Sequence, residues 1–203
     1  LSAPASLFLN RITAMSITFN KNAMLAVWRT GLGYTPFKVS GSCERFDGVD
    51  LDTYLEGRMY HWYVDLLYNM PLAYMPMTDI TDRLKIEVEP DGEAYATLPD
   101  GVIAIGTVVM EGWERQARIT SDPAHPAIEA CRNPFARPAG AWPLVLHHDG
   151  RLIFPGRDVS TGSKFTRVTA LLLPPEDTDT YVFTPWMRAQ LNKYFDANRH
   201  EIY

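Results

Sequence analysis

At Leu84 the apolar residues of this chain change step. Upstream they recur every three or four positions. From Leu84 they alternate, with Leu84, Ile86 and Val88 separated by Lys85, Glu87 and Glu89. A period of two belongs to a strand with one buried and one solvated face. Pro90-Asp91-Gly92 follows at once, and Asp-Gly supplies the positive φ that a tight hairpin turn requires. The chain therefore returns beside itself over Glu93–Leu98, and strands joined this tightly are antiparallel.

The same grammar continues downstream. Pro99-Asp100-Gly101 marks another turn, and the nearly unbroken apolar run Val102–Met110 reads as a central strand. Glu114–Thr120 reads as a further strand. A second Asp-Gly hairpin pairs Leu144–His148 with Arg151–Phe154 around Asp149-Gly150, and Phe165–Leu173 closes the set. Between them, residues 122–143 carry Pro126, Pro134, Pro138 and Pro143 and read as a loop insert. A short helix is expected there over 125–132, with Pro126 in its first turn.

Helices flank the sheet. Residues 20–31 carry an apolar stripe of Met24, Leu25, Val27 and Trp28, capped by Asn20 or Asn22 and stopped by Gly31 and Gly33. Asp50 caps a longer helix over 51–69, where Leu51, Leu55, Met59, Trp62 and Leu66 fall on one face. That helix also carries Tyr54, Tyr60, His61, Tyr63 and Tyr68, too many aromatic side chains for one stripe, so some face another surface. Thr184 and Pro185 open a last helix over 185–198. The expected class is α+β: N-terminal helices, a largely antiparallel β-sheet over about 84–173 with two Asp-Gly hairpins, and a C-terminal helix. Residues 1–19 read as an N-terminal extension, with Met15 a candidate biological start, and 20–203 as one domain.

Composition narrows the functions. A net charge of −5, with no run of Lys or Arg, gives no general attraction to nucleic acid. No apolar run reaches the roughly 18 residues of a membrane helix. The two cysteines, Cys43 and Cys131, are far apart and form no CxxC zinc motif. His147 and His148 are adjacent on a strand, point to opposite faces and cannot easily share a metal. His61, His125 and His200 lie on separate elements. Neither a GxSxG elbow, a Walker loop nor a GxGxxG stretch occurs. Asp47, Asp50 and Asp52 lack the glycine and distal glutamate of a calcium loop. No catalytic, cofactor or metal residue is assigned, and no cofactor is expected. Aromatic residues make up 12% of the chain, a slight excess that favours interfaces because each ring joins a large apolar face to a polar edge.

The order of segments carries more than any single motif. Asn22-Ala23-Met24-Leu25-Ala26 leads through Gly33-Tyr34-Thr35-Pro36 to the 51–69 helix, then to Glu93-Ala94-Tyr95-Ala96-Thr97-Leu98-Pro99-Asp100-Gly101-Val102-Ile103 and Arg151-Leu152. Over residues 20–195 this order resembles the head-to-tail adaptor, or tail tubular ring, proteins of tailed bacteriophages. The stretch from Leu98-Pro99 to Trp113-Glu114-Arg115, followed by Asn133-Pro134 and Trp142-Pro143, is similar to ring proteins of phages of gut bacteria. Trp28-Arg29-Thr30-Gly31 departs from the small residues expected there. The resemblance implies a virion structural protein. It would form a ring of twelve identical copies between the portal protein and the tail or nozzle proteins, with DNA only passing through its channel and no membrane involved. Tyr181, Phe183, Trp186, Tyr194 and Phe195 are then expected at subunit contacts. Two other readings compete: an enzyme whose site gathers dispersed residues such as His61, His125, Asp149 and Cys43, and a small host binding module.

Overall fold

A computed structural model describes residues 16–34, 50–133, 142–156 and 159–199. The fold is α+β, with four helices among the described residues and mainly antiparallel sheets. The sequence reading draws one domain over 20–203, whereas contacts within the chain group into two compact units, Leu1–Pro76 with Pro174–Tyr203 and Met77–Leu173.

The first unit contains strand β1 (Ile17–Asn20), helix α1 (Lys21–Leu32) and helix α2 (Leu51–Asn69). Strand β10 (Thr180–Phe183) and helix α4 (Pro185–Asn198) complete it. Each long helix starts at an anticipated cap. The side chains of Asn20, Asp50 and Thr184 accept from the backbone N–H groups of Ala23, Thr53 and Met187. That arrangement occupies donors left over by the helical ladder.

Three expectations for this unit are corrected. Residues 17–20 are not an extension but a strand, paired antiparallel with Thr180–Phe183. Four residues are too few for periodicity to reveal. Gly31 does not stop α1; Gly33 does, at φ 88°. Gly31 is instead a packing residue, since a β-carbon there would overlap the Phe195 ring. The buried stripe of α2 is Leu55, Met59, Tyr63 and Leu67, not the row ending in Trp62 and Leu66. Tyr63 takes the inner position because its hydroxyl has a partner there.

The second unit holds β2 (Thr78–Asp79), β3 (Ile86–Val88), β4 (Ala94–Thr97), β5 (Val102–Met110) and β6 (Arg118–Thr120). It continues with helix α3 (Pro126–Arg132), β7 (Leu144–His148), β8 (Arg151–Phe154) and β9 (Phe165–Leu172). These strands make two sheets, in the orders β2-β9-β5 and β3-β4-β8-β7-β6. Both Asp-Gly hairpins form, β3 with β4 and β7 with β8. Asp149 and Gly150 take φ of 47° and 68°, as a tight two-residue turn demands. The Asp100-Gly101 turn, in contrast, passes the chain from one sheet to the other.

Here too the structure departs from expectation. The apolar run Val102–Met110 is not central: β9 is, and β5 pairs only with β9 within its sheet. Three register shifts along β5 explain the misreading, because bulges break the simple alternation of faces. Gly106 lies at the second of them, between Ile105 and Thr107, and a β-carbon there would come within 2.9 Å of Thr169 Oγ1. The strand expected over 114–120 is confined to Arg118–Thr120. That strand runs parallel to β7. A parallel pair needs a crossover of a dozen or more residues, and the 122–143 insert supplies it. The main core joins residues from both sheets, among them Ile80, Val108, Val145, Leu152 and Val168. Ile128, Cys131, Leu144 and Leu146 form a smaller cluster under α3. Among the described residues, no helix is long and apolar enough to cross a membrane.

Candidate interaction surface

The aromatic excess of the first unit divides between an interior cluster and a surface. Inside, Trp28 of α1 touches Trp62 of α2 and Tyr194 and Phe195 of α4, with ring centroids 5.2–5.9 Å apart. Tyr63 meets Tyr181 edge to face at 5.1 Å and Phe183 at 5.4 Å. The Tyr63 hydroxyl donates to Val182 O at 2.8 Å and receives the Val182 N–H at 3.3 Å. This one oxygen thereby occupies both backbone groups of Val182. Burial pushes the Tyr63 phenol up to about 12, because the low-dielectric interior disfavours the phenolate. Burial likewise raises Tyr181. Arg58 of α2 ties the helices together through hydrogen bonds to Tyr194 Oη at 2.6 Å and Asn198 Oδ1 at 3.1 Å.

These contacts revise the expected subunit-contact residues. Tyr181, Phe183 and Phe195 are buried in the unit's own core, Phe183 completely. A side chain already enclosed by its own unit has no face left for a neighbour. Tyr194 is half-buried, with its hydroxyl engaged by Arg58. Trp186 retains partial exposure, stacked on Tyr74 with centroids 5.8 Å apart.

The segment that carries Tyr74, the stacking partner of Trp186, leaves apolar surface uncovered. Tyr68 is 58% exposed, Leu72 50% and Tyr74 41%. Pro71 and Ala73 are exposed between them. The chain there leaves α2 and makes one 3-10 turn over Leu72–Tyr74, so successive apolar side chains are displayed rather than folded inward. Sequence reasoning missed this site. The signal was present: Met70 to Met77 reads Met-Pro-Leu-Ala-Tyr-Met-Pro-Met, eight residues without a charge, directly after a helix end.

A concave feature lies between α1 and α4. It is an open groove of about 660 Å³ lined by Ala26, Val27 and Gly31 on one side and by Asn192, Phe195 and Arg199 on the other, with Thr30 and Asp196 at its wall. Its floor is shallow because Gly31 lets Phe195 approach the α1 backbone. Near the other end of α1, Lys21 pairs with Glu56 at 2.7 Å, and that hydrogen bond raises the ammonium above its usual range.

The polar clusters of the second unit are accounted for locally. His148 Nε2 lies 3.3 Å from the Asp149 carboxylate at the exposed hairpin tip. Half-buried His147 is held below the usual imidazole range by burial and by the neighbouring His148. His125 caps α3, its Nδ1 accepting from Ala127 N–H at 3.1 Å. The Asp79 carboxylate is lowered by the Thr81 hydroxyl and N–H that it accepts from. Of the residues named for a dispersed enzyme site, His61 is an exposed residue of the first unit, whereas His125 and Asp149 belong to the second. Cys43 lies outside the described residues, as does His200. Among the described residues, no group of three His, Cys, Asp or Glu side chains is placed to hold a metal ion. Comparison with protein-family models, with curated proteins and with solved structures finds no match to this chain.

Proposed function

We propose that the chain is a structural subunit of a tailed-bacteriophage neck, one of a ring of identical copies joining the portal to the tail. The observation that carries this reading is the uncovered apolar surface of Tyr68, Leu72, Tyr74 and Trp186. Large apolar side chains grouped on a surface and ringed by polar residues mark protein contacts. Aromatic residues are also enriched where such contacts are energetically strongest. The order of helices, hairpins and terminal helix supports the same reading through its resemblance to connector proteins. An acidic chain suits it as well, because a channel that passes DNA works best when it does not bind the phosphates.

The test is assembly. The paired substitution Leu72→Asp with Tyr74→Asp places two charges where apolar contact is expected. Light scattering of the full chain with its portal should show a ring-sized complex for the wild type and none for the variant, with both proteins equally folded. A wild-type chain that stays monomeric and ignores the portal would overturn the proposal.

A further inference from the structure

Asp122-Pro123 is the sole Asp-Pro pair in the sequence. Both residues are exposed, in the crossover between β6 and β7. Hydrogen bonds fix Asp122 on three sides. Its N–H donates to Thr120 Oγ1 at 3.2 Å. Its Oδ1 accepts from Ala124 N–H at 2.9 Å. Its carbonyl oxygen accepts from His125 N–H at 3.2 Å. The bond from Ala124 makes the side chain mimic the first carbonyl of a backbone turn. An oxygen in that place lies against the next carbonyl carbon, as successive carbonyls do in turns and helices. Here that carbon is the one joined to the Pro123 nitrogen.

We propose that the Asp122–Pro123 bond is a self-cleavage site, opened in mild acid by attack of the Asp122 carboxyl group on its own carbonyl carbon. The side-chain oxygen bonds to that carbon. The carboxyl proton passes to the Pro123 nitrogen, and the carbon–nitrogen bond breaks. Asp122 is left as a five-membered cyclic anhydride, and Pro123 as a free secondary amine. Water then opens the anhydride, restoring the side-chain carboxyl group and giving Asp122 a new terminal one. The balance is one peptide bond and one water consumed, with nothing oxidised or reduced. Proline suits the reaction, because its nitrogen carries no N–H and cannot close on the side chain as a succinimide instead. The turn contributes twice. It holds nucleophile and carbonyl together before reaction, and it aims the His125 N–H at the oxygen that gains negative charge.

The cut separates residues 1–122 from 123–203 without dismantling the fold. The strand pairs β1–β10, β4–β8, β5–β9 and β6–β7 each join one fragment to the other. The change is local: the crossover opens, and the segment that carries α3 gains a free amino end. This site does not depend on the ring reading, since a ring subunit and a monomer carry the same turn.

Mass spectrometry of the full chain tests the site. The protein is held at the lowest pH at which circular dichroism shows it folded, where carboxyl groups begin to keep their proton. Two fragments should accumulate, one ending at Asp122 and one beginning at Pro123. The same incubation in urea gives the rate of this bond in the unfolded chain, and the folded chain should cleave at least about tenfold faster, because the turn orients the reacting groups. Asp122→Asn keeps the Oδ1 acceptor and with it the turn, but lacks the acid, and should not yield the fragments. An intact wild type, cleavage as fast in urea as in the folded chain, or wild-type cleavage of Asp122→Asn would each overturn the proposal. None of these results bears on the ring reading, which assembly with the portal tests separately.

Discussion

Replacing Tyr63 by Phe removes a single oxygen from the interior of the first unit, and its cost follows from what that oxygen touches. The hydroxyl donates to Val182 O and accepts from Val182 N–H. Without it, a donor and an acceptor of β10 lose their partner together. Each unsatisfied buried group costs about 1–3 kcal/mol, so the variant should be about 2–6 kcal/mol less stable near neutral pH. The phenol adds a second signature. Its folded value of about 12 lies above the ordinary 10. A raised acid favours the neutral form in the folded state, so its stabilisation is complete below pH 10 and is lost as pH rises through 12. Two units correspond to about 2–3 kcal/mol. The Phe variant lacks the group. The stability gap between wild type and variant should therefore shrink by that amount between pH 10 and 12. Urea unfolding followed by tryptophan fluorescence measures it, because Trp28 and Trp62 sit in the same unit. The other raised tyrosines are common to both proteins and cancel in the difference. A neutral-pH gap below about 0.5 kcal/mol, or a gap unchanged from pH 10 to 12, would refute the reasoning.

Gly31→Ala should destabilise by about 1–3 kcal/mol through overpacking against the Phe195 ring, although alanine is the better helix former; thermal unfolding measures it, and a neutral or stabilising result would mean that α1 and α4 are not in contact there. Asp50→Ala should cost about 1 kcal/mol by uncapping α2, with Asp50→Asn largely retaining the cap; denaturant midpoints of the two variants test it. Because the Asp79 carboxylate is lowered by its hydrogen bonds to Thr81, it contributes stability above the ordinary carboxylate value, lost as pH falls through its folded value. Thr81→Val should flatten that acid limb in a pH series of unfolding midpoints, and an unchanged limb would contradict it.

How much of this was legible in the sequence depended on how local the cause was. Helix α2 begins and ends where Asp50 and Pro71 place it, and both Asp-Gly hairpins form, because caps and turns are decided within a few residues. The pairing of Ile17–Asn20 with Thr180–Phe183 joins segments some 160 residues apart, and no short window contains it. The edge position of β5 was concealed because all nine of its residues are buried or half-buried along a bulged strand, so its sequence is as apolar as a central strand's. The five aromatic residues singled out near the C-terminus show the same limit. Sequence identified the right residue types, but an aromatic side chain in the core and one at a contact read alike. Phe183 became core and Trp186 stayed half-exposed because β10 alternates its faces while α4 turns its first two residues outward. The exposed Tyr68–Tyr74 surface, by contrast, was readable as an uncharged run after a helix end.

Cryo-electron microscopy of the full chain mixed with its portal tests the central claim most directly. The account predicts a closed ring of identical copies on the portal, with Tyr68, Leu72 and Tyr74 covered by protein. A portal left bare beside monomeric chain, or a ring in which those three side chains face solvent, would contradict it.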